Sequence, residues 1–574
     1  MNTETVCLDV CQPIEDVEEV LNWKKPVVCW ASLVRKLERR TDFCCHTYPV
    51  CSVNNKPNFQ KAETVPKTLV CHDMKGGYLA DRWVNGTDNT EEYKFLLWSC
   101  IDIFVYFSHK LVTIPPLCWI NAGHIHGVKV LGTIITEGPN GCSFWNDLAT
   151  NEIKLYGFAD QLAAICDHYG FDGYLINIEN SMSYQVMESF VSFLEHLIKN
   201  LKTISPDKTI IWYDAVTFPF GKLLWQNKLN IFNKKFFDIC DGIFLNYGWS
   251  EEDLIETVKE CGSRKTDAYV GVDVFGRGVF GGGGFTTCQA MDVIRKHGLS
   301  AAIFAPGWVH ENCEPDETAD NRDFMFWELL TEYLYCYGPA RIPFKTSFCR
   351  GFGHKKYKEG RVVMDQPWFN LSEMNHMPGL LSGIHQIEES SCFVYYQNDA
   401  YEGGGCLLVK PPERASVGKH CDRLFVCDFY VPYAEKIHIK VASKPLFTDS
   451  DPATLYDLIL SMVDHEDCDN HSEKSLMRKV CLPVISNIRP EDSPNKWILS
   501  DFIFEVGCAH IVSIDCRLIS DKTPVLIGYF SISTEDTEPS EIGDMPINGS
   551  HSPDGYCSTM KIANVLCDSK KNSA

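Results

Sequence analysis

The sequence predicts an α/β protein: a (β/α)8 barrel of the TIM type followed by a C-terminal antiparallel β-sandwich region. Three observations carry this expectation. Short apolar segments alternate with helical patterns between residues 67 and 338. Beyond Gly338-Pro339 the rhythm changes to segments that alternate apolar and polar residues between turn-rich stretches. Polar and aromatic residues recur at the carboxyl ends of the apolar segments, the end where such barrels keep their chemistry.

At 574 residues the chain exceeds what one core organises, and 45% hydrophobic with 12% aromatic residues suffices for sizeable cores. Lys+Arg 53 against Asp+Glu 76 leaves a formal net charge of -23, which repels polyanions. Nucleic acid and anionic membrane surfaces are therefore poor partners, and a neutral substrate fits better.

Residues 1–66 read as an irregular extension packing on the barrel, with partial helix expected within Glu19 to Val34 and a polar linker around Ser52 to Gln60. The first ten residues lack a basic region followed by an apolar run, so no secretory signal is expected. No stretch is long and apolar enough to insert across a bilayer. The expected location is the cytosol, where the 27 scattered cysteines, without a paired Cys-x-x-Cys, read as reduced buried thiols. The sequons at Asn85, Asn370, Asn470 and Asn548 are then expected to stay unmodified.

The strand-like segments of residues 67–338 are Lys67 to Cys71, Ile101 to Phe107, Val128 to Ile134, Phe171 to Asn177, Thr209 to Tyr213, Gly242 to Asn246, Ala268 to Val272 and Ser300 to Phe304. Between the fourth and fifth, Val186, Phe190, Phe193, Leu197 and Leu201 recur at helical spacing. Cys288, Met291 and Ile294, with Gly298 beyond, mark a helix and its stop before the eighth. The Gly281 to Gly284 run has no G-x-G-x-x-G spacing and gives a nucleotide-binding sheet little support. In residues 339–574, strands of one or two sandwiches are expected at Leu424 to Val431, Lys436 to Val441, Trp497 to Val506, His510 to Leu518 and Val525 to Ile532. A loop over Thr534 to Gly555 and a closing strand over Tyr556 to Val565 complete the reading.

The fourth segment, Phe171-Asp-Gly-Tyr-Leu-Ile-Asn-Ile-Glu-Asn180, is the one to watch. Residues two apart on a strand share a face, so Asn177 and Glu179 point the same way, an amide beside a carboxyl at the barrel mouth. Other strand ends offer Cys71-His72-Asp73, Tyr106-Phe107-Ser108-His109, Trp212-Tyr213-Asp214, Asn246-Tyr247-Gly248-Trp249, Asp273-Val-Phe275-Gly-Arg277 and Ala305-Pro306-Gly307-Trp308. Aromatic faces beside hydrogen-bonding groups suit a sugar. Each aromatic taken alone also fits barrel packing; their recurrence at one end carries the functional reading.

These stretches resemble the cytosolic endo-β-N-acetylglucosaminidases of glycoside hydrolase family 85, which cut the chitobiose core of N-linked glycans. The resemblance rests on His72-Asp-Met-Lys-Gly-Gly-Tyr78, Ile101 to His109, Val130-Leu-Gly-Thr133, Phe171 to Asn180, Trp212-Tyr-Asp214, Tyr269 to Phe275 and Phe304-Ala-Pro-Gly-Trp-Val309. It extends more loosely to Pro343 to Cys349, Pro367 to Ser372 and Gly403 to Val409, where Gly405 and Cys406 stand in place of the usual Ser. The resemblance implies Glu179 as general acid/base and Asn177 as the group that holds the substrate's 2-acetamido, whose oxygen replaces an enzymic nucleophile and forms an oxazoline. It further implies that Tyr213 helps place the acetamido group and that Trp225, Tyr247 and Trp249 line the acceptor side, with Asp273 and Trp308 as further glycan contacts. The implied partners are N-linked glycans and free oligosaccharides with a chitobiose core.

No cofactor or metal is called for, and His72, Asp73 and His109 read as a structural polar cluster. Two alternatives stand beside this. The chitinase pattern Phe-Asp-Gly-x-Asp-x-Asp-x-Glu places its later aspartates at Leu175 and Asn177, which argues against a chitinase. A glycan-binding lectin on a barrel scaffold would need neither Asn177 nor Glu179. Should those two not carry the chemistry, Asp214 or Asp273 is where an enzymic nucleophile would be sought.

Overall fold

The computed structural model describes residues 9–27, 29–46, 59–313, 318–378, 393–410, 421–432, 435–446, 455–464, 477–482, 487–488, 496–519 and 523–534. The barrel strands are β1 (Thr68–His72), β2 (Ile103–Tyr106), β3 (Lys129–Glu137), β4 (Gly173–Glu179), β5 (Thr209–Tyr213), β6 (Gly242–Leu245), β7 (Ala268–Asp273) and β8 (Ser300–Phe304). Each pairs in parallel with the next, and β8 returns to β1 through Ala301 opposite Thr68, so the sheet closes as expected.

The connections vary. Leu117–Ile125 (α1) follows β2, two helices, Gly138–Ala149 (α2) and Glu152–Tyr169 (α3), follow β3, and Tyr184–Ile204 (α4) follows β4. Asn151 caps α3 by accepting from Ile153 and Lys154, and Gly170 ends it at φ 71°, a conformation only glycine adopts without strain. Helix α4 buries Phe190, Phe193, Leu194, Leu197 and Leu201 along one stripe, each contributing about 1.5–3 kcal/mol. Lys234–Ile239 (α5), Glu251–Cys261 (α6) and Thr287–Lys296 (α7) follow β5, β6 and β7, and Trp308–Glu311 (α8) and Ala319–Glu328 (α9) follow β8. Between β1 and β2 the chain makes only 3₁₀ turns, at Ala80–Arg82 and Trp98–Cys100, because that stretch carries no helical apolar period.

The amino end of the barrel is held by acids placed one or two residues ahead of a strand. There an N–H at the first or second residue of one strand is taken by a carboxylate just ahead of the neighbouring strand. Asp102 accepts from Thr68 N at 2.7 Å, Asp172 from Val130 N at 2.8 Å, and Asp241 from Ile210 N at 2.8 Å. Each also meets a basic side chain: Arg40, His124 at 2.8 Å and Lys202 at 2.6 Å respectively. At the seam, Ser300 Oγ accepts from Lys67 N at 2.8 Å while the Lys67 ammonium pairs with Asp267 at 2.8 Å.

The N-terminal segment packs on this barrel. Its helix is confined to Val17–Leu21, with a separate 3₁₀ turn at Trp30–Leu33, shorter than a helix through Glu19 to Val34 would be; Pro26 interrupts the stretch between them. The linker expected around Ser52 to Gln60 lies almost wholly outside the described residues.

Beyond the barrel, two antiparallel sheets face each other. One comprises Phe344–Thr346 (β9), Phe393–Tyr396 (β10), Cys406–Val409 (β11), Lys436–Pro445 (β13), Asn487–Ile488 (β16), Ile498–Glu505 (β17) and Val525–Thr534 (β19). The other comprises Cys421–Val431 (β12), Tyr456–Asp464 (β14), Met477–Leu482 (β15) and Ala509–Leu518 (β18). Phe425, Phe429, Leu460 and Ile514 from one sheet share a core with Ile437, Ile439, Val441 and Phe530 from the other, which makes one sandwich. The departure at Gly405 has a steric cause, since a Cβ there would lie 2.5 Å from the Tyr395 hydroxyl. The closing strand expected at Tyr556 to Val565 lies outside the described residues.

The described cysteines are free thiols, many of them buried, and burial pushes Cys166 up to about 12.

Candidate active site

Strand β4 delivers the two residues around which the site forms. Asn177 and Glu179 lie on one face, two apart, and Asn177 Nδ2 donates to Glu179 Oε2 at 3.2 Å. Asn177 is 3% exposed and Glu179 half-buried. The turn beyond them is braced from behind: Trp145 Nε1 donates to Thr136 Oγ1 at 2.9 Å, and Thr136 donates to Asn180 Oδ1 at 2.6 Å. Helix α2 comes so close to Asn180 that a Cβ at Gly141 would lie 2.2 Å from its amide oxygen.

Burial is the main influence on Glu179 and raises its pKa. Glu137, its cross-strand partner on β3, adds to the rise, while hydrogen bonds from Asn177 and the Trp225 indole, and the nearby His109, oppose it. A carboxyl so placed holds its proton to higher pH than an ordinary glutamate, as a general acid requires.

Tyr213, at the end of β5, is 6% exposed and donates to Asn246 Oδ1 at 2.8 Å. The Trp225 indole, 39% exposed, lies beside both Tyr213 and Glu179 and favours the charged form of each. Its loop is tied to the turn after Glu179 by Met182 N donating to Gly221 O at 2.7 Å, a contact that leaves no room for a Cβ at Gly221. Asn177, Glu179, Tyr213 and Trp225 are thus brought together. Tyr247 lies against Tyr213, ring centroids 6.3 Å apart, and against Phe304 at 5.6 Å.

The remaining candidates sit further from the acid. Trp249 is buried, donates its indole N–H to Gly271 O at 2.8 Å, and is covered by the Phe280 ring stacked at 5.0 Å, so the aromatic face exposed on this side is that of Phe280. Asp273 is buried in a bidentate ion pair with Arg277, at 2.7 and 3.0 Å, which leaves the exposed guanidinium as the group offered to solvent. Trp308 packs edge-on to Phe285 at 5.6 Å, beneath Gly284, where a Cβ would lie 3.0 Å from its ring. Its neighbour Arg322 lies 5.5 Å over the same indole.

Asp214 carries no free oxygen: Oδ1 accepts from Asn233, and Oδ2 accepts from the backbone of Gln226 and Asn227. Burial pushes its carboxyl up to about 7, and its hydrogen bonds place it as the anchor of the Trp225 loop. His72 is enclosed by Tyr93, Phe104, Tyr106 and Trp119, and burial lowers it to about 3, so it is neutral. His109 sits apart from it on the exposed rim, 3.5 Å from Glu137. Glu137 and Asn227 were not visible as site residues in the sequence. Glu137 follows an apolar run without any motif, and Asn227 lies in a loop without period.

Residues 77–356, from just after β1 through the whole of the remaining barrel, match the model of glycosyl hydrolase family 85. The chain is 43% identical over 392 residues to a cytosolic endo-beta-N-acetylglucosaminidase of Homo sapiens, covering 66% of this chain and 51% of that one. It is 45% identical over 405 residues to cytosolic endo-beta-N-acetylglucosaminidase 2 of Arabidopsis thaliana, covering 66% and 56%. It therefore spans about half the length of these relatives. Among solved structures, the glycoside hydrolase domain of Endo-D from Streptococcus pneumoniae R6 superposes with a TM-score of 0.66 at 19% identity, covering 92% of this chain and 83% of that one, a likeness of fold. The Asn177–Glu179 strand and the Tyr213–Trp225 loop lie inside the matched segment, so it is the barrel of this chain, over residues 77–356, that matches glycosyl hydrolase family 85.

Proposed function

We propose that the chain is an endo-acting glycosidase that cleaves the β-1,4 bond between the two GlcNAc residues of the N-glycan chitobiose core, with retention and with the substrate's acetamido oxygen as nucleophile. The observation that carries this is the Asn177 amide 3.2 Å from the half-buried Glu179 carboxyl at the carboxyl end of β4. Retaining enzymes with their own nucleophile place a second carboxylate about 5–5.5 Å from the acid. Here the other buried carboxyls of the rim are engaged, Asp214 by three N–H donors and Asp273 by Arg277. The residue beside the acid is an amide, which accepts from an acetamido N–H and so turns the acetamido oxygen toward the anomeric carbon.

In this reading Glu179 protonates the departing GlcNAc oxygen as the oxazoline closes, then takes a proton from the water that opens it. Asn177 holds the acetamido nitrogen, where positive charge develops. Tyr213 fixes the far side of the group, and the Trp225 face supports the leaving sugar. Arg277 and Phe280 offer polar and apolar contacts further out. The substrates are N-linked glycans and free oligosaccharides carrying the chitobiose core, and the site of action is the cytosol; the relatives' names, cytosolic endo-beta-N-acetylglucosaminidase, support the location and cleavage at N-acetylglucosamine.

The test is incubation of the purified chain with a free high-mannose oligosaccharide ending in chitobiose, followed by mass measurement. Loss of one N-acetylglucosamine is expected, and an unchanged mass would refute the reading.

A further inference from the structure

Behind Tyr213 runs a chain of amides that the catalytic reading does not use. The Tyr213 hydroxyl lies 2.8 Å from Asn246 Oδ1, Asn246 Nδ2 lies 2.7 Å from Asn227 Oδ1, and Asn227 N lies 2.8 Å from Asp214 Oδ2. The direction of every link follows from one backbone group. Gly248 N–H donates to Asn227 Oδ1 at 3.1 Å, and a backbone N–H can only donate. The Asn227 atom there must therefore be oxygen, and the Asn246 atom that faces it must be its NH2. The other Asn246 atom is then its oxygen, so Tyr213 has to be the donor in their contact. The Tyr213 proton is committed to Asn246, and its oxygen lone pairs are left for the Trp225 indole N–H and for an N–H or O–H of a sugar.

Asn227 is built for this post. Its φ of 60° lies in the left-handed region, which asparagine tolerates better than most residues, and it directly follows the Trp225-Gln226 pair. The two N–H groups that Asp214 receives are those of Gln226 and Asn227, so the segment carrying Trp225 and the amide that orients Tyr213 share one anchor.

We infer that Asn246 and Asn227 are positioning residues that set the direction of the Tyr213 hydroxyl and tie it to the placement of Trp225. This rests on the proposed glycosidase reading and deepens it. Any displacement of the loop at Trp225 moves Asn227, releases Asn246, and lets the Tyr213 hydroxyl turn. Tyr213 and Trp225 therefore act on the substrate as one unit.

The experiment is a coupling measurement on the full chain, with kcat and KM for release of GlcNAc from a free chitobiose-ended oligosaccharide. Asn227→Gly keeps the left-handed backbone and removes the amide. Asn227→Asp keeps an acceptor at the same place. The expected result is a fall in kcat on the order of tenfold for Asn227→Gly with KM and melting temperature nearly unchanged, and recovery to within about threefold in Asn227→Asp. In the Tyr213→Phe background, Asn227→Gly should cost nothing further, because the hydroxyl it orients is gone. Losses that multiply in the double variant, or an Asn227→Asp as slow as Asn227→Gly, would overturn the inference. If Asn227→Gly fails to fold, Asn246→Ala, which removes the acceptor of the Tyr213 proton, is run through the same cycle: a fall in kcat that disappears in the Tyr213→Phe background supports the inference, and losses that multiply overturn it. An unmodified chain that releases no GlcNAc overturns the glycosidase reading and the relay with it, whereas an active chain with multiplying losses overturns the relay alone.

Discussion

The two ends of the barrel use the same side chains to opposite purposes. At the amino end, Asp102, Asp172 and Asp241 each receive a backbone N–H and face a basic side chain. At the carboxyl end, Asp214 is buried and Glu179 and Asp73 are half-buried, with no cation among the described residues in hydrogen-bonding contact with Glu179 or Asp214. The contrast shows in Asp172 and Glu179, seven residues apart on one strand and its approach. Burial would raise both; at Asp172 the His124 imidazole outweighs it and holds the carboxyl below its usual range, while at Glu179 burial prevails. One strand thus carries a structural acid at its foot and, at its head, the acid proposed to do the chemistry, in line with the division of labour between the two faces of such barrels.

The sharpest way to break this comparison is at the head. Glu179→Gln should lower glycan cleavage by about 10²–10⁴-fold, the usual worth of a positioned general acid. Thermal stability at neutral pH should stay level or rise, since the substitution removes a carboxyl whose charged form its burial disfavours. A variant that still turns over normally would take Glu179 out of the mechanism. Asn177→Ala should come next, losing about 10²–10³-fold in cleavage of intact glycan. Supplied with a ready-made sugar oxazoline and a GlcNAc acceptor, it should still join them, and the product should accumulate uncut. Failure to join them while Glu179→Ala succeeds would reverse the two roles.

At the foot the pattern should invert. Asp172→Asn leaves His124 buried without its counter-charge and should cost about 3 kcal/mol of stability, with kcat of the folded fraction unchanged. The pH dependence has two signs. Asp172 is held low in the folded state, so its contribution is present above its unfolded pKa and is lost as pH falls through the folded value. His124 is held high by Asp172 against the opposing effect of its burial, so its contribution is complete below its unfolded pKa and is lost as pH rises through the folded one. Denaturant melts across pH should therefore lose both limbs in the variant; persistence of both would assign them elsewhere. The smallest effect is expected in the pH–rate profile. Activity should decline as pH rises through the Glu179 value, which lies above the ordinary 4.5. Trp225→Phe removes an indole N–H that favours the carboxylate, so the alkaline limb should move further up, and a downward move would contradict the contact.

The barrel was legible because each strand is a short apolar run and the rim residues recur at one end. Asn177 and Glu179 were legible because period two fixes their common face whatever surrounds them. The rest depended on partners distant in sequence. Nothing in the local pattern of Asp273 announces that Arg277 neutralises it, or that Phe280 covers Trp249. Strand β14 was missed because Leu455, Tyr456, Leu458, Ile459 and Leu460 are all buried, which blurs alternation. The relay from Asp214 to Tyr213 could not be read at all, since its members come from β5, the loop after it and the end of β6.

The acids at the amino end also bear on how the barrel assembles. Asp102 joins β1 to β2, Asp172 joins β3 to β4, and Asp241 joins β5 to β6, so each staple closes between elements adjacent in the chain and asks for little loop entropy. Only the last joint is long-range. Lys67 at the start of the barrel must find Ser300 and Asp267 near its end, and Arg295 donates to Lys67 O and Thr68 Oγ1 across the same seam. The early strands therefore acquire their fasteners in local pairs, while the ring as a whole stays open until the eighth strand arrives. Closure of the ring depends on that one strand, and a chain cut short before β8 would leave three stapled ribbons and unpaired sheet edges on β7 and β1.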